Sequence, residues 1–118
     1  MIKKILIVED DMILSMVNRK YVESLGHQVV QCVRNGLAAI EAAKKHEPDI
    51  ILMDIRIEGN MDGIEAMEEI RKFSEAGVIY LTGNSEPVTK IRAEQTNMLA
   101  FCVKPISMDD LKSVIGNA

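Results

Sequence analysis

The sequence predicts an α/β protein in which five short parallel strands alternate with five helices within a single domain, residues 1–118. Three observations carry that expectation. Apolar runs and amphipathic stretches alternate five times along the chain. Most of the apolar runs are continuous, as strands covered on both faces should be. Cap and stop residues stand between the two kinds of segment. Right-handed crossovers then leave little but a parallel sheet with helices on both faces.

The strand candidates are Ile5–Val8, Val29–Val30, Ile50–Met53, Val78–Leu81 and Phe101–Val103. In the first helix Leu14, Val17, Tyr21 and Leu25 recur at three- and four-residue steps, and Gly26 follows as a stop. Asn35 is placed to cap a second helix carrying Ala39, Ile40 and Ala43, which Pro48 ends. Asp62 caps a third, with Ile64, Met67 and Ile70 inward and Gly77 beyond it. Ser85 or Glu86 opens a fourth with Pro87 in its first turn, and Ser107 caps a fifth with Leu111, Val114 and Ile115 inward and Gly116 at its end. The fourth helix is the odd one. Its segment "SEPVTKIRAEQTN" has Ile91 and little else apolar at helical spacing, so weak packing is expected and the helix is either a mobile or partner-facing element or simply an exposed peripheral one.

Composition narrows the function. The chain is long enough to bury a proper core. A net charge of -4, with two Tyr and two Phe, argues against direct nucleic-acid binding, which calls for a basic and usually aromatic surface. Apolar runs are a handful of residues long, far below the roughly 20 that a membrane helix needs. The start runs straight into a strand, without room for a signal peptide, and two cysteines are too few for a disulfide framework. A cytoplasmic location is therefore expected. Cys32 and Cys102 are not expected to pair, His27 and His46 read as surface imidazoles, and the eight Met read as core filler.

The residues at the strands' carboxyl ends form an unusual set. The first strand ends in Glu9-Asp10, the third in Asp54, the fourth in Thr82 and the fifth in Lys104-Pro105. Ligands of open α/β sheets sit outside those ends. Each residue alone has an ordinary explanation as a turn, a strand end or, for the acidic run that includes Asp11, the cap of the following helix. Together they point to a site for a divalent cation and a phosphoryl group. Three carboxylates and one ammonium leave two negative charges, which one divalent cation neutralises; without it, crowded carboxylates raise one another's pKa.

The motifs "ILIVEDD", "PDIILMDI", "MDGIEA", "YLTG" and "VKP", in this order and spacing, resemble the receiver domains of two-component response regulators. The resemblance spans Ile2 to Ile115. It implies a flavodoxin-like (βα)5 doubly wound sheet of strand order 2-1-3-4-5. It also implies roles. Asp54 matches the phosphoacceptor, loaded from a phosphohistidine of a sensor histidine kinase or histidine phosphotransfer protein. Glu9, Asp10, Asp54 and the carbonyl of Arg56 match the ligands of Mg²⁺ or Mn²⁺, a hard cation suited to oxygen donors. Lys104 matches the partner of a phosphoryl oxygen, and Pro105 fits a cis Lys104–Pro105 bond. Thr82 and Phe101 match the pair that carries the switch to an output partner, or to a second copy, across the fourth-helix, fifth-strand and fifth-helix face. Arg56 and Asn84 fall at the variable positions that tune phosphoryl lifetime. Arg56 either lies over the phosphoryl oxygens or turns to solvent, where Glu58 is its nearest candidate partner.

Two departures stand out. The segment "DIRIEGNMDG" lacks the proline common in this loop and carries one extra residue, and Asn97-Met98 replaces the usual Gly-Ala before the fifth strand. Three other readings compete. An unphosphorylated docking module of the same fold would not need Asp54, Thr82 and Lys104 intact. A haloacid-dehalogenase-type phosphatase needs a second Asp where Arg56 stands. Flavin binding fits poorly with an acidic first loop. The chain reads as a switch that promotes its own phosphorylation and dephosphorylation rather than as an enzyme on external substrates.

Overall fold

Side-chain caps start four of the five helices at the residues that the sequence singles out. Asp11 accepts from the Ile13 and Leu14 N–H groups at 2.9 and 3.1 Å, and Asn35 from Ala38 at 2.8 Å. Ser107 accepts from Asp110 at 3.1 Å. Asp62 and Glu65 form a reciprocal capping box at the third helix. In this computed structural model, which describes residues 1–83 and 86–117, the elements run as follows: β1 (Lys4–Val8), α1 (Met12–Ser24), β2 (Gln28–Val33), α2 (Gly36–His46), β3 (Ile50–Asp54), α3 (Gly63–Ile70), β4 (Gly77–Thr82), α4 (Pro87–Glu94), β5 (Ala100–Val103) and α5 (Met108–Gly116). Glu86 takes the cap position of α4 with Pro87 first in the helix. The other candidate for that position, Ser85, lies outside the described residues, as does Asn84.

The five strands are parallel in the order β2-β1-β3-β4-β5, the flavodoxin-like arrangement. The continuous apolar runs divide between two cores because successive side chains on a strand face opposite ways. Leu6, Val8, Ile51, Met53, Val78 and Tyr80 face α2, α3 and α4. Ile5, Ile7, Ile50, Leu52, Ile79 and Leu81 face α1 and α5. Each such buried aliphatic side chain contributes about 1.5–3 kcal/mol, so the central strands hold most of the stability. The chain crosses from one side of β1 to the other between β2 and β3, which opens the crevice at the carboxyl ends of β1 and β3.

Several expectations need adjustment. β2 extends from Gln28 to Val33, well beyond Val29–Val30, because it is an edge strand whose exposed face carries Gln28 and Gln31. In α1 the buried residues are Asn18 and Val22, with Leu14, Val17, Tyr21 and Leu25 flanking them half-buried. The weak packing expected of α4 is what the structure has: Ile91 is 57% exposed and Val88 71%, while Ala93 is buried. Met53 and Met67 are core, but Met1, Met12 and Met16 are exposed. Cys32 and Cys102 are free, on opposite edge strands. His27 accepts the Lys3 N–H at 3.0 Å and His46 Nε2 lies 3.1 Å from Gln31 Oε1, so each imidazole has a local partner. Asn97 adopts φ 58°, a left-handed conformation that Asn tolerates better than most residues, while Met98 packs onto the core.

Candidate functional site

Asp54 is the last residue of β3 and Glu9 follows β1, so neighbouring parallel strands deliver two carboxylates side by side. Both are buried, and Asp10 beside them is half-buried. One oxygen from each of Glu9, Asp10 and Asp54 lies within 4.8 Å of the others. Lys104, just beyond β5, reaches back between two of them, with its Nζ 2.9 Å from Asp54 Oδ2 and 3.1 Å from Glu9 Oε1. Backbone groups complete the cradle. The Asp11 N–H donates to Glu9 Oε2 at 3.1 Å, and the Arg56 N–H donates to Asp54 Oδ1 at 3.2 Å.

Electrostatics follow from this crowding. Burial raises the pKa of Glu9, and contact with Asp54 raises it further; the Asp11 N–H and Lys104 only partly offset the rise. For Lys104, burial works against its charge, but Asp54 and Glu9 outweigh it and the pKa ends raised. The pocket therefore holds its ammonium firmly and favours a further positive charge beside Glu9. Three carboxylate oxygens at this spacing are a hard donor set of the kind that Mg²⁺ or Mn²⁺ takes, so the residues present fit such a cation.

Residues 5–116 match the family profile described as the response regulator receiver domain. The chain belongs to that family. CheY, a chemotaxis protein of Bacillus subtilis, is 34% identical over 116 residues that cover 98% of this receiver and 96% of CheY. The transcriptional regulatory protein PdtaR of Mycobacterium tuberculosis is 32% identical over 109 residues, 92% of this receiver and 53% of PdtaR, so the chain spans about half the length of that regulator. The signal receiver domain of a modulated diguanylate cyclase from Desulfovibrio desulfuricans superposes with a TM-score of 0.92 at 31% identity, covering all of this chain and 94% of that one. Among the described residues no helix is long and apolar enough to cross a membrane.

The other residues marked in the sequence lie around the receiver's acidic cluster at different distances from its chemistry. Thr82 ends β4, buried, and the Lys104 N–H donates to its carbonyl at 2.7 Å. The Lys104–Pro105 bond is cis. Phe101 pairs with Tyr80 across β5 and β4 and is half-buried against the apolar cluster that holds Tyr80 and Ala93. Arg56 is exposed. It does not pair with Glu58, which instead meets Arg34 at 3.5 Å, because the loop after β3 leans toward the start of α2. Sequence reasoning passed over that lean and the ion pair of Arg92 with Asp62 at 3.1 Å, both of which hold the loop from outside. Neither has a local signal, since the partners are 24 and 30 residues apart.

Proposed function

We propose that this receiver accepts a phosphoryl group on Asp54 from the phosphohistidine of a sensor histidine kinase or histidine phosphotransfer protein, and that the modified site biases the α4–β5–α5 face toward an output partner. The observation that carries this reading is the setting of Asp54: buried at a strand end, 2.9 Å from Lys104 and within 4.8 Å of two more carboxylates. Glu9, Asp10, Asp54 and the Arg56 carbonyl would hold the divalent cation. Bound there, the cation supplies charge to screen the carboxylates and the incoming phosphoryl oxygens.

The chain's own groups account for the rest. Lys104 pairs with Asp54, and the Arg56 N–H orients its carboxylate. An Asp54 oxygen attacks phosphorus; as that bond forms, the phosphorus–nitrogen bond of the donor breaks and its electron pair returns to the imidazole. Lys104 then pairs with a phosphoryl oxygen, and the Thr82 hydroxyl takes another. Phe101 is half-buried against the core, and the phosphoryl contacts select between two packings of the α4 and β5 edge. Val88, Ile91, Leu99 and Val103 are exposed there, an apolar surface suited to a partner or a second copy. The net charge of -4 over the whole chain argues against direct nucleic-acid binding by this domain.

The deciding experiment is incubation with acetyl phosphate and Mg²⁺ followed by intact mass. Wild type should gain one phosphoryl group, while Asp54→Asn and Asp10→Asn should gain none. An unmodified wild type would favour the docking-module reading. Asp10→Asn should also melt higher than wild type in the absence of Mg²⁺, since it relieves carboxylate repulsion. Thr82→Ala and Phe101→Ala should still be labelled yet lose the beryllofluoride-induced amide shifts in α4. Lifetime tests Arg56, whose guanidinium cannot act as a base near neutral pH. If it shields the acyl phosphate, Arg56→Asn should speed hydrolysis about tenfold, roughly 1.4 kcal/mol in the barrier. Equal rates would discard the shield.

A further inference from the structure

The loop between β3 and α3 carries the Arg56 carbonyl, and three features bear on how it is held. Its neck is closed by the Gly63 N–H donating to the Ile55 carbonyl at 2.8 Å. No side chain fits at Gly63, since a Cβ there would sit 2.2 Å from the Asp54 carbonyl oxygen. Its tip has no proline and includes Gly59 at φ 98°, so local chain stiffness does little to hold it. What holds the tip is α2. Glu58 bridges to Asn35 and pairs with Arg34 at 3.5 Å, while Ile57 and Met61 pack onto the core from the same side.

Magnitudes decide which of these contacts matters. The Arg34–Glu58 pair is about half exposed on both sides, and pairs of that kind contribute little. The Met61 contact is different in kind. A Cβ added to Gly36, the first residue of α2, would lie 2.8 Å from Met61 Sδ, 3.1 Å from its Cγ and 3.2 Å from its Cβ. The sulfur could swing aside, but the Met61 Cβ moves only with its backbone. A side chain at position 36 therefore asks the Met61 backbone to give by a few tenths of an ångström, at the end of the loop that carries the Arg56 carbonyl.

We infer that Met61, seated on Gly36, is a positioning residue that sets the β3–α3 loop from α2 and with it the Arg56 carbonyl as a metal ligand. The inference rests on reading the acidic cluster as a Mg²⁺ site. The absence of a side chain at position 36 is what lets an unusually long, proline-free loop lie in one place. Through this contact the start of α2 and its exposed neighbour Leu37 are mechanically joined to the metal site.

Mg²⁺ titrations followed by backbone amide shifts test this, with Asp10→Asn as the control for the site. Gly36→Ala should displace the amides of residues 56–61 before any metal is added. It should then weaken Mg²⁺ binding by about tenfold, the low end of what outer groups are worth to a metal site. The double variant Gly36→Ala/Met61→Gly, in which the opposing Cβ is gone, should return to the smaller loss of Met61→Gly alone. It should melt no lower than that variant, because alanine is the better helix former. Unchanged affinity in Gly36→Ala overturns the inference, as does a double variant as weak as Gly36→Ala. If Gly36→Ala does not fold, Met61→Ala decides by itself: wild-type affinity and wild-type loop shifts overturn the proposal. A wild type that binds no Mg²⁺, or an Asp10→Asn variant that binds it normally, instead overturns the reading of the metal site.

Discussion

α3 and α4 are successive helices of eight residues each, on the same side of the sheet, and they are built in opposite ways. α3 starts with a capping box and buries Gly63, Ile64, Ala66, Met67 and Ile70. α4 starts with a proline and, among its described residues, buries Ala93. Its fastening lies at its far end and off its axis. Thr96, just past the helix, meets the buried Tyr80 hydroxyl at 2.6 Å, and Arg71 donates to the carbonyls of Thr96 and Asn97. Arg92 holds Asp62 at the start of α3. Isolated helices of this length are unstable, so α3 is helical because it is buried and α4 because its carboxyl end is tied. The contrast separates a helix held by burial along its length from one whose described apolar residues are mostly exposed and whose carboxyl end is tied.

Several measurements would break or sharpen that contrast. Met67→Ala in α3 should cost about 2–5 kcal/mol in urea unfolding, since it opens a cavity beneath the sheet. A cost below about 1 kcal/mol would mean that α3 is not the anchored partner. The tie at α4 has a pH signature. Burial pushes the Tyr80 hydroxyl up to about 12 from its ordinary 10.0, with the Thr96 hydroxyl and Arg71 only partly offsetting it. A raised pKa means stability fully present below the unfolded value and lost as pH rises toward the folded one. Wild type should thus lose about 2–3 kcal/mol relative to Tyr80→Phe between roughly pH 10 and 12. Parallel curves for the two proteins across that window would mean that the Tyr80 hydroxyl is not buried beneath the end of α4.

Thr96→Val leaves the buried Tyr80 hydroxyl without its partner and should cost about 1–3 kcal/mol, with faster amide exchange through α4. Exchange accelerated instead in α3 would reverse the assignment of the two helices. The smallest effect belongs to Ile91→Ala, which should stay within about 0.5 kcal/mol of wild type. A larger loss would show that α4 packs through its outer face.

The sequence by itself determined the element order, four side-chain caps, the two-sided burial of the central strands and the gathering of Glu9, Asp10, Asp54 and Lys104 at the strands' carboxyl ends. These are legible because they depend on local chemistry. Caps bond within three residues, periodicity is a property of one segment, and carboxylates crowded after a strand are conspicuous. Only the tertiary structure decided which way α4 turns its few apolar residues, that Glu58 meets Arg34 rather than Arg56, and that Met61 rests on Gly36. It also decided that Asn18 and Val22, rather than the apolar stripe read along α1, are the residues most fully covered. Each of these depends on where a distant element happens to pack. A weakly amphipathic helix or a loop without proline has no preferred face or path of its own, so its neighbours choose for it.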